Sequence, residues 1–134
     1  MQRVVMDTDV ISFYFKNDTR FNEYATAIAG KQLVVSFMTI AELRLWQQLR
    51  KWSSKRCEEF FSELDKHYLI YPVDRELCIK WADLKAAAVQ QGRMLESADA
   101  WIAATARVLE VPLVTHNKKD FDYLPGLTVV SFPQ

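Results

Sequence analysis

R-V-V-M-D-T-D-V-I-S-F, residues Arg3 to Phe13, decides how the rest of the chain is read. Val4, Val5 and Met6 form a short, mostly β-branched apolar run that ends at Asp7, Thr8 and Asp9. A second apolar set, Val10, Ile11 and Phe13, follows at helical spacing. The pattern predicts a buried strand delivering a carboxylate at its C-terminal end, then a short helix from Val10 to about Phe15. In open α/β sheets ligands bind beyond the carboxyl ends of the strands, so Asp7 falls where chemistry is usually placed. A turn aspartate capping the next helix is the plainer explanation, and it suits Asp9. Asp7 fits it less well, because it follows the apolar run directly and a buried carboxylate must be paired, hydrogen-bonded or metal-bound.

Beyond this stretch the chain alternates strand and helix patterns. Lys16-Asn17-Asp18 breaks the first helix, and Thr19 is expected to cap a second one through Phe21, Tyr24, Ala25 and Ile28, stopped by Gly30. Leu33 to Val35 reads as a second buried strand, leading into a helix from Thr39 with Ile40, Leu43, Trp46 and Leu49 on one face. Arg44, Gln47, Gln48, Arg50 and Lys51 are expected on the opposite face. Ser53-Ser54 restarts a helix with Cys57, Phe60, Phe61 and Leu64 inward. A third strand, Tyr68 to Val73, precedes Asp74, a cap for a long helix carrying Leu77, Trp81, Leu84 and Ala88 to Gly92. Arg93 to Glu96 reads as a loop. Ser97 is expected to cap a helix rich in small residues, and Pro112 separates it from a fourth strand, Leu113 to Thr115. After the polar stretch His116 to Asp122, a last strand runs from Leu127 to Phe132. Strands alternating with helices imply parallel pairing and right-handed crossovers. The expected fold class is α/β: a three-layer α/β/α sandwich around a mainly parallel sheet of four or five strands.

The 134 residues, half of them hydrophobic, suit one domain over 1–134. Seventeen basic against seventeen acidic residues leave no net charge, which removes the global basicity of non-specific nucleic-acid binders. A nucleic-acid partner would need a local patch or metal ions. Cys57 and Cys78 lie in helical patterns without metal-ligand spacing, as expected of reduced thiols. The N-terminus lacks a signal-peptide pattern and no apolar run approaches a membrane span, so a cytoplasmic protein without membrane association is expected.

Besides Asp7, three carboxylates stand in comparable places: Glu42 and Asp99 in first helical turns, and Asp120 after the fourth strand. Each has a plain structural explanation. Thr39-x-x-Glu42 is a capping box. Asp99 suits a helix dipole two residues after Ser97. Asn117-x-x-Asp120 resembles a cap with its acidic third residue. The functional case is joint, because an α/β sheet brings the C-terminal ends of its central strands to one cleft. Two carboxylates about 6 Å apart repel by roughly 3 kcal/mol at an effective dielectric of 20, so four gathered acids call for compensation. Oxygen-only ligation points to Mg²⁺ or Mn²⁺, whereas zinc would want His or Cys at suitable spacing. His67 and His116 stand alone; His116 is read as a loop residue within reach of substrate.

The pieces V-V-M-D-T-D-V-I-S, T-I-A-E-L, S-A-D-A-W-I-A-A-T-A and L-V-T-H-N-K-K-D-F together resemble the motifs of PIN-domain ribonucleases, particularly VapC-type toxins of toxin-antitoxin pairs. They lie in the family's order and span nearly the whole chain. The last two are the most specific. The resemblance implies Asp7, Glu42, Asp99 and Asp120 as the catalytic, metal-binding acids, with Thr8, Thr115 and Asn117 in support. Asp7 and Asp99 match the positions most consistently assigned to Mg²⁺, while Glu96 is an additional acid of open role. The implied activity is Mg²⁺-dependent hydrolysis of RNA phosphodiester bonds without a side-chain nucleophile. Arg44, Arg50, Lys51, Lys55, Arg56, Lys118 and Lys119 are candidates for holding the RNA backbone, though solvated helix faces account for them equally simply. The implied partners are RNA, a cognate antitoxin protein and a second copy of the chain. The early aromatics Phe13, Tyr14, Phe15, Phe21 and Tyr24 are read either as such interfaces or as core.

Two other readings stay open at this point. Asp7-Thr8-Asp9 after a strand also imitates the D-x-D motif of haloacid-dehalogenase-like phosphatases, with Thr115 and Lys118 as phosphate holders, but that leaves Glu42 and the Ser97 to Ala106 motif unexplained. Alternatively the chain is a non-catalytic dimeric partner-binding module whose acids are all caps.

Overall fold

The protein is described by a computed structural model covering residues 2–133. The apolar run after Arg3 forms β1 (Arg3–Met6), and the chain turns at once into α1 (Thr8–Phe15) and α2 (Phe21–Ile28). Next come β2 (Gln32–Ser36), α3 (Phe37–Leu49), α4 (Ser54–His67) and β3 (Tyr68–Tyr71). The second half holds α5 (Arg75–Gln90), α6 (Ser97–Leu109), β4 (Leu113–Val114), a one-turn 3₁₀ helix (Lys118–Asp120) and β5 (Val129–Val130). All five strands are parallel, in the order β3-β2-β1-β4-β5. β1 is therefore central, paired to β2 through Val4 and Leu33 and to β4 through Met6 and Val114.

The period-2 geometry of strands splits the sheet's side chains between two cores. Val5, Val34 and Leu113 face α5 and α6, where they meet Leu77, Leu84, Ala100, Ile102 and Ala103. Val4, Met6, Val35 and Val114 face the other way, against Val10, Ile11, Tyr24, Leu43, Phe60 and Leu64. Helices thus cover both faces, as expected for parallel strands with two apolar sides. Ala100, Ala103, Ala104 and Ala106 are all buried on α6, whose small side chains let it lie close to β1, β2 and α5. Each fully buried Val, Leu or Ile contributes about 1.5–3 kcal/mol, which makes the two cores the main support of the sheet. Among the described residues no helix is long and apolar enough to cross a membrane.

Several local expectations change. α1 begins at Thr8 rather than Val10, with Asp7 as its N-cap. Thr19 does not cap α2, which starts at Phe21 after Arg20 with no side-chain cap; the Phe21 N–H bonds to the Asp18 carbonyl. The cap of α3 is Ser36, whose hydroxyl accepts from the Met38 N–H, so Thr39-x-x-Glu42 lies inside the helix and forms no capping box. Gln47, expected outside, is fully buried, while Leu49 is 73% exposed. Ser97 is the first residue of α6 rather than its cap. β3 and β5 are shorter than expected, and as an edge strand β3 leaves Leu69 and Ile70 exposed. Ser53 and Asp74 do cap α4 and α5 through the Arg56 and Leu77 N–H groups.

Candidate active site

β1 ends where the Asp7 N–H donates to the Val114 carbonyl at 2.8 Å, so Asp7 stands at the carboxyl end of the central strand pair. Its side chain is buried, 5% exposed, and both oxygens are engaged. Oδ1 accepts from the Thr8 N–H at 2.7 Å, and Oδ2 accepts from the Thr115 hydroxyl at 2.7 Å. Thr115 follows β4 directly and is itself fully buried; its oxygen also accepts from the Asn117 N–H at 3.1 Å. Burial pushes the Asp7 carboxyl well above its ordinary pKa, and the nearby Asp9 and Asp99 push it the same way; the bonds from Thr115 and Thr8 oppose the shift.

β2 brings the next acid. With Ser36 capping α3, the first turns of that helix put Thr39 and Glu42 beside the start of α1. The Thr8 hydroxyl lies 2.8 Å from Glu42 Oε1 and 3.1 Å from Thr39 Oγ1. Having one proton, it donates to the carboxylate at the shorter distance. Glu42 therefore reaches across to α1 instead of returning to its own backbone.

Asp99, in the first turn of α6, is half-buried, and its pKa is pushed up to about 6. Burial is the main cause, followed by the charges of Asp120, Glu42, Glu96 and Asp9. All four expected acids, Asp7, Glu42, Asp99 and Asp120, thus share one electrostatic neighbourhood at the carboxyl ends of β1, β2 and β4, together with Asp9 and Glu96. Among the described residues none of these six is ion-paired to Lys or Arg. Opposing charge reaches the cluster at Asp9, from Arg20 and His116, without a direct ion pair to Lys or Arg among the described residues.

Asp9 does more than the sequence suggests. Its Oδ1 accepts from the Val10 N–H at 2.7 Å, while Oδ2 accepts from the His116 N–H at 3.0 Å and from Asn117 Nδ2 at 3.1 Å. Asp9 thereby ties the loop after β4 to α1, and Asn117 is turned toward Asp9 rather than capping the 3₁₀ helix. The only sequence signal for this was its two-residue spacing from Asp7. His116, read as a candidate substrate contact, instead has Nδ1 2.7 Å from the Tyr24 hydroxyl and stands edge-on to Phe13. An Asp9 carboxylate held by two loop donors also gives no support to a phosphatase-type acid at that position.

Three of the acids, Glu96, Asp99 and Asp120, line a cavity of about 190 Å³ together with Arg93, Met94, Leu95 and Tyr123; Asp7, Asp9 and Glu42 are not part of its lining. Lys118 and Lys119 are exposed beside it, on the same short helix as Asp120. The other basic candidates lie elsewhere: Arg50 and Arg56 stack on Trp46 and Trp52, and Arg44 Nη1 lies 3.2 Å from Cys57 Sγ. No three acidic, His or Cys side chains among the described residues close into a ready-made cation cage. The donor set nevertheless fits a hard divalent cation: oxygen ligands only, one of them buried, with no ion pair to Lys or Arg among the described residues.

Comparisons with known proteins bear on the same residues. The family described as PIN domain matches residues 4–127, a span that holds every acid named above. Ribonuclease VapC1 of Haemophilus influenzae is 28% identical over 127 residues, 92% of each chain. Among solved structures, DNA-bound VapBC from Salmonella typhimurium aligns with a TM-score of 0.82 at 20% identity, covering 98% of both chains. A toxin-antitoxin complex from Klebsiella pneumoniae aligns with a TM-score of 0.73 at 22% identity, covering 98% of this chain and 99% of that one.

Proposed function

The chain belongs to the PIN domain family, and on that premise we propose that it is an endoribonuclease that hydrolyses RNA phosphodiester bonds with a divalent metal ion, acting as the toxin of a type II toxin-antitoxin pair. The observation that carries the reading is the set of mutually repelling carboxylates around Asp7 and Asp99 at the carboxyl ends of the central strands, none of them ion-paired to Lys or Arg among the described residues. Asp7 and Asp99 would hold Mg²⁺, or Mn²⁺ in its place, with Glu42 and Asp120 completing an oxygen-donor set. When bound, such an ion supplies Lewis-acid activation of water and neutralises charge on the phosphate.

The chain's own residues prepare that site. Thr115 fixes Asp7 Oδ2, and Thr8 fixes Glu42, so two carboxylates are aimed before anything binds. Asn117 supports the arrangement through Thr115 and Asp9. Both threonine hydroxyls donate to carboxylates, which leaves water as the nucleophile. Lys118 and Lys119 lie where an RNA backbone crossing Asp120 would run.

The proposed partners are RNA, a cognate antitoxin protein and a second copy of the chain, in the cytoplasm; the likeness to toxin-antitoxin complexes supports the antitoxin. The test is incubation with total RNA and Mg²⁺, comparing wild type with Asp7→Ala and mapping the 5′ ends. Discrete new ends from wild type alone are expected. Equal patterns from both proteins would refute the nuclease reading. A non-catalytic module predicts, in addition, no rise in Tm with Mg²⁺, whereas a metal site raises it by mass action.

A further inference from the structure

Arg93 is the one basic side chain lining the cavity beside Asp99, Asp120 and Glu96, yet among the described residues it forms no ion pair with any of them. It is held elsewhere. α5 ends at Gln90, Gly92 follows with φ +67°, a conformation that favours glycine, and the Arg93 N–H closes the turn onto the Ala88 carbonyl at 2.9 Å. The loop is pinned further where Lys85 Nζ donates to the Leu95 carbonyl at 2.6 Å. From this fixed backbone the guanidinium lies over the Tyr123 ring, its central carbon 3.9 Å from the ring centroid, and one Nη donates to the Lys119 carbonyl at 3.0 Å. Two loops distant in sequence are thus clasped by one planar cation at the edge of the acidic cavity.

Tyr123 covers one side of the guanidinium. Arg93 is exposed, so its second face and its remaining N–H donors are open to solvent at the cavity rim. A flat cation already stacked on an aromatic ring is a platform for a nucleobase, and its orientation is set before binding, which reduces the entropy lost on contact.

Resting on the nuclease reading above, we propose that Arg93, backed by Tyr123, is a positioning residue that stacks on the unpaired base of the nucleotide adjoining the scissile phosphate. Because the contact reads a π-face rather than base edges, it selects single-stranded RNA over duplex more than it selects sequence.

The test uses a fluorescent ribo-oligonucleotide with a mapped cleavage site, and versions with the base removed on either side of that bond. Arg93→Ala is expected to raise KM about tenfold, the size of one stacked base, with kcat nearly unchanged. Arg93→Lys, which keeps the charge and loses the plane, should behave like Arg93→Ala. Removing the adjoining base should raise the wild-type KM by a similar factor and add nothing in Arg93→Ala. Full rescue by Arg93→Lys, or penalties that multiply, would overturn the proposal. Anisotropy titrations in Ca²⁺ read the same comparison as binding without turnover. Wild type cleaving no faster than Asp7→Ala would sink the nuclease reading; the Arg93 contact would then be decided by anisotropy titrations of unmodified single-stranded RNA and duplex, where equal single-strand affinity of wild type and Arg93→Ala overturns it.

Discussion

The Thr115 hydroxyl sits 2.7 Å from Asp7 Oδ2, joining residues 108 apart in the sequence at the carboxyl ends of two adjacent strands. The bond is buried, and it offsets part of the desolvation that raises the Asp7 pKa.

Thr115→Val should therefore weaken the site without removing an acid. We expect Mg²⁺ affinity or RNA cleavage to fall roughly 10–100-fold, the usual loss when a ligand's hydrogen-bond partner is removed. Thr115→Ser, which keeps the hydroxyl, should stay close to wild type. Calorimetric Mg²⁺ titration of the three proteins checks this.

Asp99 sets a pH dependence. Its pKa is raised from 3.8 to about 6 in the fold, so the folded state prefers the proton. The corresponding stability is fully present below pH 3.8 and lost as pH rises through about 6. Metal-free Asp99→Asn should thus be more stable than wild type at pH 7.5, by on the order of 1 kcal/mol after allowing for solvent screening of a half-exposed group, and equal to it near pH 4. Cleavage should be lost in the same variant. Urea titrations in EDTA at the two pH values measure the first effect.

Protons compete with the metal for the same oxygens. Apparent Mg²⁺ affinity should rise with pH through about 6, where Asp99 loses its proton, and the raised Asp7 carboxyl carries the dependence further in the same direction. Thermal shifts at fixed Mg²⁺ across pH 5–8 would trace this. A flat profile contradicts it.

Gln47 is fully buried in α3, and among the described residues neither its amide nitrogen nor its amide oxygen has a hydrogen-bond partner. A buried polar group left unpaired costs about 1–3 kcal/mol, so Gln47→Met, of similar volume, should stabilise the fold by an amount of that order. The urea midpoint should rise with the slope unchanged. Cleavage should be unaffected.

Tyr24 contributes in the opposite sense. Its hydroxyl accepts from the Phe132 N–H at 2.9 Å and lies 2.7 Å from His116 Nδ1. Tyr24→Phe leaves both without that partner and should cost about 1–3 kcal/mol. The Tyr24 hydroxyl bonds to none of the acids, and the His116 N–H that holds Asp9 is a backbone group, so the folded variant should retain its cleavage rate; circular dichroism melting together with the RNA assay separates the two effects.

The apolar runs ending in Asp7 and Thr115 made the central strands legible, since a parallel strand buried on both faces is apolar at every position. The acids were legible for a related reason: Asp7 follows its strand directly, and Asp99 opens a helix of small residues that must pack closely. Local chemistry misled elsewhere. Thr39-x-x-Glu42 matched a capping box, but β2 passes into α3 without a loop, so Ser36 takes the cap and Glu42 is released to Thr8. Tyr68 to Val73 read as a strand without a place in the sheet, because an apolar run does not tell an edge position from a central one; at the edge, Leu69 and Ile70 are exposed.

By itself the sequence determined the alternation of strands and helices, the two apolar faces of the sheet, and the positions from which carboxylates would project. These depend on periodicity and on neighbours within a few residues. Only the tertiary structure decided that Asp9 would brace the loop after β4, that Gln47 would be buried unpartnered, that His116 would turn to Tyr24, and that Arg93 would lie on Tyr123 instead of pairing with an acid. Each of those outcomes is a choice among partners distant in sequence, made by which strands lie side by side, and no local pattern of residues encodes that adjacency.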